Sequence, residues 1–276
     1  MIAFVGAGKV ATALGLYFKT KGMEVTGYYS RNHEHAKKAA ETTNTRAYTN
    51  LTQLINSSRM IWITTTDDSL EEVAFQIAGL SIEPDKEKLF LHTSGVHSTD
   101  VLRPIKEKGF TTGSAHPLLS FSAAESTAEK LRETWFTIEC NEDEGNELPD
   151  FFKKTNNPVL RIDSKHKALY HTACSMLANY LVTLTDISYQ IFENAGIEKE
   201  TMRKATIPLL ESVLENTKNK EGKEALTGPV KRGDINTIKL HLESLQNSNP
   251  EFVEIYKVLG RLTMNMLGDF RLSEIL

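Results

Sequence analysis

Short apolar runs alternate with amphipathic segments through the first half of the chain. The runs that read as β-strands are MIAFV, EVTGYY, MIWIT, KLFLH, TTGSAH, WFTIE and PVLRI. Between them, apolar residues recur at helical spacing and predict helices over residues 9–21, 33–43, 69–78 and 98–108. Such alternation is typical of a parallel sheet that helices cover on both faces. We therefore predict a doubly wound α/β domain over residues 1–163.

The pattern changes to helices alone in the second half. The acidic stretch NEDEGNELPDFF opens one more helix before the strand PVLRI, and no strand pattern follows that strand. A long and mostly apolar helix is predicted over residues 165–195, and Gly196 ends it. Shorter helices follow, with a polar loop after the first, at residues 199–218, 235–246 and 250–267. We therefore predict an all-α domain over residues 164–276.

Composition and charge restrict the class of protein. The chain has 276 residues, of which 40% are hydrophobic and 25% charged, as is ordinary for folded soluble domains. The net charge of −4 gives no basic surface for nucleic acid. No apolar run reaches the roughly 18 residues that cross a bilayer, and no secretory leader opens the chain. We expect a cytoplasmic protein that binds neither nucleic acid nor a membrane.

Cysteine and histidine spacings indicate neither a disulfide framework nor a metal site. Cys140 and Cys174 are the two cysteines, and reduced thiols are the simplest expectation for them. His33 and His35 are two residues apart, a spacing that does not place two ligands on one face of a helix. No other group has the spacing of a known ligand set, so we predict no bound metal.

A glycine-rich turn directly follows the first predicted strand, in the stretch FVGAGKVA. Gly6 permits a tight turn, Gly8 lets a pyrophosphate approach the backbone, and Ala11 is small enough for the helix to pack on the strand. The helix begins at Lys9 and Val10, and its free N–H groups suit phosphate oxygens. Strand, turn and helix together predict a dinucleotide-binding Rossmann domain. The alternative is a tight turn that binds nothing.

The stretch YYSRN ends the second predicted strand, where NAD-binding domains usually carry an acid. Ser30, Arg31 and Asn32 offer a hydroxyl, a guanidinium and an amide at this place. A carboxylate would repel a 2′-phosphate, whereas an arginine fork matches one. We therefore predict NADP as the cofactor, with Arg31 against the 2′-phosphate and the adenine. The alternative is a solvated loop arginine.

Other polar residues stand where later strands end, at the edge where open α/β sheets bind ligands. Those predicted to contact the ribose and pyrophosphate, and then the nicotinamide end, are Thr64, Thr65 and Thr66, followed by Thr93, Ser94 and Gly95. Asp68 or Ser69 reads as a helix N-cap, with Glu72 completing a capping box. His92 is expected to pack at a strand end. His116 is predicted either to face the substrate or to be a structural histidine before a proline.

A polar stripe runs along the long predicted helix, in SKHKALYHTACSMLANYLVTL. Lys167, His171, Ser175 and Asn179 recur every four residues among mostly apolar neighbours, which keeps them on one side of a helix. Buried polar groups need partners, so the stripe predicts a cleft facing the nicotinamide or a polar seam against another helix or subunit. In the first case Lys167 or His171 donates a proton and Asn179 orients the substrate.

The loop ALTGPVKRGD is a second candidate for substrate contacts. Arg232 is suited to hold a carboxylate or a phosphate, and Asp234 is placed to cap the next helix. A structured connection with a capped helix is the alternative. Trp62 and Trp135 lie in predicted strands and are expected in the core.

Several of these stretches together resemble a known family over essentially the whole chain. They are FVGAGKVA, YSR, HTSG, AHPL, KALYHTACSMLANY and LTGPVKRGD. The chain resembles Rossmann-like NADP oxidoreductases that carry a C-terminal helical domain of unknown function. These belong to the 6-phosphogluconate dehydrogenase-like superfamily, near pyrroline-5-carboxylate reductase. The resemblance implies an NADP-binding domain and a helical domain that dimerises and helps to form the active site.

The resemblance also implies candidate catalytic positions. In the wider superfamily a lysine and an asparagine four residues apart on the first interdomain helix serve catalysis. Here Ser175 stands four residues before Asn179, and the lysine of the stripe is Lys167. This departure argues against the β-hydroxyacid dehydrogenase mechanism. The serine- and glycine-rich stretch of pyrroline-5-carboxylate reductases is also missing, so the substrate carries over from neither group.

Taken together, these features favour an NADPH-dependent reductase of a small C=O or C=N substrate. His171 or Lys167 would supply the proton as hydride arrives, since a donor that titrates near the working pH is best placed for that role. Arg232 would anchor an acidic group, and the chain would form a homodimer through its C-terminal helices. Two alternatives are an NADP-binding sensor or regulatory protein without turnover, and a structural dimer with a vestigial pocket.

Overall fold

The computed structural model describes residues 1–139 and 147–276. Cys140 and the first residues of the acidic stretch lie outside the described residues. The chain divides into two compact units, Met1–Ala178 and Asn179–Leu276. Across the described ranges, no helix combines the length and the apolar character that a membrane crossing requires.

The first unit is built on one eight-stranded sheet in the order β3-β2-β1-β4-β5-β6-β7-β8. Its strands are β1 (Ile2–Val5), β2 (Val25–Tyr29), β3 (Arg46–Tyr48), β4 (Met60–Ile63), β5 (Leu89–His92), β6 (Thr111–Pro117), β7 (Phe136–Glu139) and β8 (Val159–Arg161). Strands β1 to β6 run parallel to one another, β7 is antiparallel to β6, and β8 is parallel to β7. This confirms the predicted α/β class.

Helices follow most strands of the first unit. They are α1 (Lys9–Thr20), α2 (His33–Thr43), α3 (Leu51–Asn56), α4 (Asp67–Ala78), α5 (Arg103–Glu107), α6 (Ala124–Lys130), α7 (Glu147–Thr155) and α8 (Lys167–Ser175), with 3₁₀ turns at Thr99–Leu102 and Ser164–His166. The short elements β3, α3 and α6 were not predicted from the sequence. The helix predicted over residues 98–108 is split, because the Ser98 hydroxyl caps a 3₁₀ turn and Pro104 starts a separate helix.

The start of α4 differs from the prediction. Thr66 holds the N-cap position and the helix begins at Asp67, so neither Asp68 nor Ser69 is the cap. The Ser69 hydroxyl instead accepts a hydrogen bond from the Thr66 hydroxyl at 3.0 Å. Glu72 does not close a capping box, since its carboxylate lies 3.3 Å from the Arg31 guanidinium.

Alternate residues of the strands pack into two apolar cores, one on each face of the sheet. Phe4 and Trp62 lie in the core beside α1, and Val5 and Ile63 lie in the core beside α4. Trp62 is fully buried, as predicted. The prediction for Trp135 is wrong: its side chain is 53% exposed, because it precedes β7 at the turn that returns from β6.

Helices make up the second unit and the segment that leads into it. The chain passes from α8 through a π-helical segment (Met176–Tyr180) to α9 (Leu181–Asn194). The later helices are α10 (Lys199–Ala205), α11 (Ile207–Asn219), α12 (Gly222–Ala225), α13 (Pro229–Arg232), α14 (Ile235–Ser248) and α15 (Val253–Leu267), with a 3₁₀ turn at Pro250–Phe252. The helix predicted over residues 199–218 is divided because Pro208 stands in the first turn of α11. Within residues 179–276 the structure contains no strand, as predicted.

Candidate functional site

The glycine turn lies where the strand order reverses, between β1 and β4. The Gly6 N–H donates to the Tyr29 carbonyl oxygen at 2.8 Å, and the Thr64 N–H donates to the Val5 carbonyl oxygen at 2.8 Å. Gly6 has φ +101°, and a Cβ there would lie 2.8 Å from the Thr64 carbonyl group. Both the backbone conformation and the close approach therefore require glycine. Ligands of open α/β sheets bind at such a reversal point.

Neither the backbone conformation nor close neighbours require glycine at position 8. Its φ of −83° suits any residue, and a Cβ built on it would meet no atom within 4 Å. Gly8 is the N-cap residue of α1, and no side chain caps the helix there. The amides of the first turn, around Lys9 and Val10, therefore face an open cradle that a side chain would fill. Such a cradle suits a phosphate group.

A cleft of about 390 Å³ opens beside this cradle. Among its lining residues are the sequence-predicted cofactor contacts Gly6, Gly8, Ser30, Arg31, Asn32, Thr64, Thr65 and Thr66. The Lys9 side chain lines a neighbouring cleft on the other side of Gly8. The Thr65 hydroxyl is buried and bonds to none of the described residues. A buried hydroxyl of this kind needs a partner from a ligand or water, so cradle and hydroxyl both fit a dinucleotide.

Arg31 reaches over the cleft from the end of β2. One of its terminal nitrogens lies 3.3 Å from the Glu72 carboxylate and the other 3.3 Å from the Ser69 hydroxyl. The guanidinium is mostly exposed, so an incoming anion can reach it, although it must compete with Glu72. Asn32 caps α2, because its side-chain oxygen accepts the Glu34 N–H at 3.1 Å.

A second group of predicted residues meets at the ends of β5 and β6. A Cβ on Gly95 would lie 2.5 Å from Cδ2 of His171 and 3.0 Å from Nε2 of His116. The two imidazole rings stand nearly perpendicular, with centroids 5.9 Å apart. Nδ1 of His116 lies 2.9 Å from the Tyr170 hydroxyl. The sequence analysis missed Tyr170, although it directly precedes His171.

Lys167 lies one helical turn before His171 on α8 and is buried, with 1% of its side chain exposed. Its ammonium donates to the Ser94 carbonyl oxygen at 3.1 Å and to the Ser114 hydroxyl at 2.7 Å. The Glu139 carboxylate lies 3.7 Å away and also accepts the Thr99 hydroxyl at 2.8 Å. Burial lowers the pKa of Lys167 to about 8, against the opposing effect of Glu139. Its hydrogen atoms are directed at protein partners rather than at an open cleft.

His92 is a structural residue of the same strand end. It is fully buried; its Nδ1 accepts the Ser94 N–H at 3.2 Å, and its Nε2 lies 3.2 Å from the Ser98 carbonyl oxygen. Burial, helped by the Lys167 charge, lowers the pKa of His92 to about 3. Burial also lowers the pKa of His116 to about 4, with smaller contributions from His171 and Lys167. Both imidazoles are therefore neutral near pH 7.

Three further predicted site residues are Ser175, Asn179 and Arg232. Ser175 is half-buried and Asn179 is exposed, and neither side chain hydrogen-bonds to the described part of the chain. The π-helical segment begins directly after Ser175, so steps of four no longer keep residues in one line. Arg232 lies in the second unit and pairs with Asp234 at 2.8 Å. Asp234 occupies the N-cap position of α14, as predicted, but its side chain accepts no backbone N–H of the helix and pairs with Arg232 instead.

Comparisons with known proteins concern both units. Residues 1–117 match the family model of a Rossmann-like domain, and residues 134–263 match that of a domain of unknown function, DUF2520. No curated protein sequence matches the chain.

Solved structures resemble the whole chain. The protein BF3122 of Bacteroides fragilis is 23% identical, with 95% of this chain and 96% of that one covered and a TM-score of 0.75. An imine reductase from Pseudomonas sp. is 17% identical over 98% and 96% of the two chains, with a TM-score of 0.64. The imine reductase of Myxococcus stipitatus, in complex with NADP⁺, is 13% identical over 98% and 97%, with a TM-score of 0.63. At these identities the likeness is one of fold. The two matched models indicate a Rossmann-like domain followed by a region that matches the domain of unknown function DUF2520.

Proposed function

We propose that the protein is an NADP(H)-dependent oxidoreductase that transfers hydride to a small C=O or C=N substrate. The observation that carries this proposal is the open cradle at Gly8. The Thr65 hydroxyl, which has no hydrogen-bond partner among the described residues, and Arg31 line the same cleft. His116 and His171, here called the histidine cluster, lie at the end of β6, two strands away from β4 at the same edge of the sheet. The fold shared with imine reductases supports a substrate with a C=N or C=O group.

Each part of the dinucleotide would have its own residues. The turn from Gly6 to Val10 would hold the pyrophosphate, and Thr64 to Thr66 the neighbouring ribose. Ser30, Arg31 and Asn32 would hold the 2′-phosphate, which distinguishes NADP from NAD. Thr93 to Gly95 would lie at the nicotinamide end. When bound, the reduced cofactor would supply the hydride.

The protein must supply a proton, because hydride adds to the carbon while the oxygen or nitrogen of the substrate is protonated. His171 is the proposed donor, since its ring lies against Gly95 and imidazole is the side chain that most often transfers protons in general acid catalysis. Lys167 is better suited to a positioning role, because its ammonium is enclosed and bonded to Ser94 and Ser114. Arg232 would have to leave Asp234 before it could anchor an acidic group of the substrate.

A second copy of the chain is the proposed partner of the helices. Large apolar side chains lie exposed on them, including Leu169, Leu177, Val182, Leu209 and Leu214. Leu169 is 71% and Leu177 78% exposed, which is unfavourable in water for side chains of this size. We expect sedimentation equilibrium at micromolar concentration to give a dimer, and a monomer would contradict this part of the proposal.

Calorimetric titration of NADPH and NADH at fixed salt tests the cofactor assignment. We expect NADPH to bind more tightly, and Arg31→Ala to weaken it by roughly tenfold or more while NADH is unaffected, because charge-assisted hydrogen bonds to the phosphate are lost. Arg103→Ala is the matched control. Arg103 is an equally exposed arginine of the same unit that pairs with Glu107, and its replacement should change neither affinity.

The outcomes separate the competing functions. Binding of NADPH together with its oxidation by an imine or carbonyl panel supports the reductase. Tight NADPH binding without consumption by any of these compounds favours a sensor or regulatory protein. If neither nucleotide binds, the cleft is vestigial and the proposed function is wrong.

A further inference from the structure

Thr137, Tyr170 and His116 form a short chain of hydrogen-bonding contacts. The Thr137 hydroxyl, in β7, donates to the Tyr170 hydroxyl at 2.8 Å. The Tyr170 hydroxyl in turn lies 2.9 Å from Nδ1 of His116. The rings of Tyr170 and His116 meet edge to face, with centroids 5.6 Å apart and an angle of 85° between their planes. The mutual orientation of the two side chains is therefore fixed by packing as well as by the hydrogen bond.

The direction of the second hydrogen bond fixes the tautomer of His116. Tyr170 carries one hydroxyl proton, and burial, the largest influence, raises its pKa to about 12, so the proton stays on at neutral pH. Since Thr137 donates into the phenol oxygen, the phenol proton can be donated to Nδ1 of His116, and the Cys174 thiol is the other group beside this hydroxyl. A neutral imidazole has one N–H group. If Nδ1 is the acceptor, that N–H must be at Nε2.

We propose that Tyr170 is a positioning residue that holds His116 as its Nε2–H tautomer and so presents a hydrogen-bond donor beside Gly95. Nε2 of His116 lies 3.0 Å from where a Cβ of Gly95 would be, and it hydrogen-bonds to nothing within residues 1–139 and 147–276. The inference rests on the proposed function, in which the C=O or C=N group approaches Nε2 from outside its contact with Gly95, because the His171 and His116 rings fill the position of a Gly95 Cβ. The Nε2–H group would then stabilise the charge that develops on the substrate oxygen or nitrogen.

This arrangement divides the work between the two histidines. His116 donates a hydrogen bond and keeps its proton, while His171, whose ring lies against the same Cβ position of Gly95, delivers the proton to the substrate. The opposite tautomer would turn a lone pair of His116 toward the substrate atom and repel it. Tyr170 therefore acts through His116 and has no need to touch the substrate.

The tautomer can be measured directly by ¹⁵N NMR of histidine-labelled protein without nucleotide or substrate. Loss of one signal set in His116→Gln assigns the resonances. We expect wild-type His116 to be protonated at Nε2 and unprotonated at Nδ1 near pH 7. In Tyr170→Phe we expect a mixture of tautomers. An Nδ1–H tautomer in the wild type would overturn the proposal, even where Tyr170→Phe does not fold.

The chain contains a matched control pair. In the second unit the Tyr256 hydroxyl lies 2.8 Å from Nδ1 of His241, with ring centroids 5.9 Å apart and an angle of 89°. Tyr256→Phe removes the same type of contact and should alter the signals of His241 alone. If Tyr256→Phe changes the His116 tautomer as much as Tyr170→Phe does, the effect is not local and the proposal is wrong.

Turnover provides the second measurement. With a substrate that the wild type reduces, Tyr170→Phe should lower turnover roughly tenfold and leave NADPH affinity unchanged. This is the effect expected when the hydrogen bond that orients His116 is lost. Tyr256→Phe should leave turnover unchanged. A changed tautomer with full turnover would contradict the role in catalysis. If the wild type turns over nothing but its tautomer responds as expected, the proposed function fails while the hold of Tyr170 on His116 stands.

Discussion

Gly6 and Gly8 belong to one turn but are glycines for different reasons. Gly6 adopts φ +101° and lies against Thr64, so the fold itself requires it. Gly8 has an ordinary φ and open space where its Cβ would be, so nothing in the described chain requires glycine there. The fold does not require glycine at position 8, but a side chain there would fill part of the cleft. We therefore infer that Gly8 keeps this space free for a ligand.

This difference predicts opposite effects of the same substitution. Gly6→Ala should lower the free energy of unfolding by roughly 1–3 kcal/mol, because an L-residue is strained at this φ and its Cβ meets Thr64. Gly8→Ala should leave stability within about 0.5 kcal/mol and weaken NADPH binding. Urea unfolding and calorimetry measure the two effects. Equal loss of stability in both variants would contradict this assignment.

At the scale of elements, Lys167 joins α8 to three neighbouring strands of the sheet. Its ammonium contacts Ser94 after β5, Ser114 in β6 and Glu139 in β7. The sheet register places Ser114 opposite Glu139, so one cation can reach both. The histidine and the tyrosine that follow on α8 are thereby brought to the end of β6.

We expect Lys167→Met to lower the free energy of unfolding by about 3–5 kcal/mol, because it leaves the Glu139 carboxylate buried without a countercharge. Adding Glu139→Gln should recover part of this loss. Lys165→Met is the control, since Lys165 forms an exposed ion pair with Asp163 and should contribute less than about 1 kcal/mol. Strictly additive effects of the two buried substitutions would show that they do not interact.

At the scale of the whole molecule, two buried neutral histidines link folding to pH. Burial holds the pKa of His116 at about 4 and that of His92 at about 3, whereas a histidine in an unfolded chain has a pKa near 6.5. Below about pH 6.5 the unfolded chain therefore binds more protons than the folded one. Stability is lost as the pH falls through this window toward 4.

His92→Gln tests this linkage. Between pH 6 and pH 5 each such histidine should lower the free energy of unfolding by roughly 1 kcal/mol per pH unit. The variant should therefore show a shallower pH slope than the wild type, even though its stability at pH 7.5 is lower. Urea unfolding at several pH values measures the slope, and parallel curves for the two proteins would contradict the prediction.

Most strands of the first unit could be predicted from the local pattern of apolar residues. Strands such as β1, β4 and β5 are continuous apolar runs, which is the pattern of strands buried on both faces. The three-residue β3 has no such run and was missed. The antiparallel direction of β7 was not predicted, because its pairing with β6 lies across the connection that contains α6 and leaves no trace in periodicity.

The sequence by itself determined the α/β class, the helical second half, the glycine turn and the polar strand ends. It could do so because these features depend on spacing within a few residues, and parallel strands bring their ends to one edge. Tertiary structure alone decided that Lys167 is enclosed, that Tyr170 contacts His116 and that the side chains of Ser175 and Asn179 form no hydrogen bond within the described chain. The contacts of Lys167 join residues 53 and 73 positions apart, and those of Tyr170 residues 33 and 54 apart. Which face of a helix meets which strand is set by packing, and periodicity along the chain does not record it.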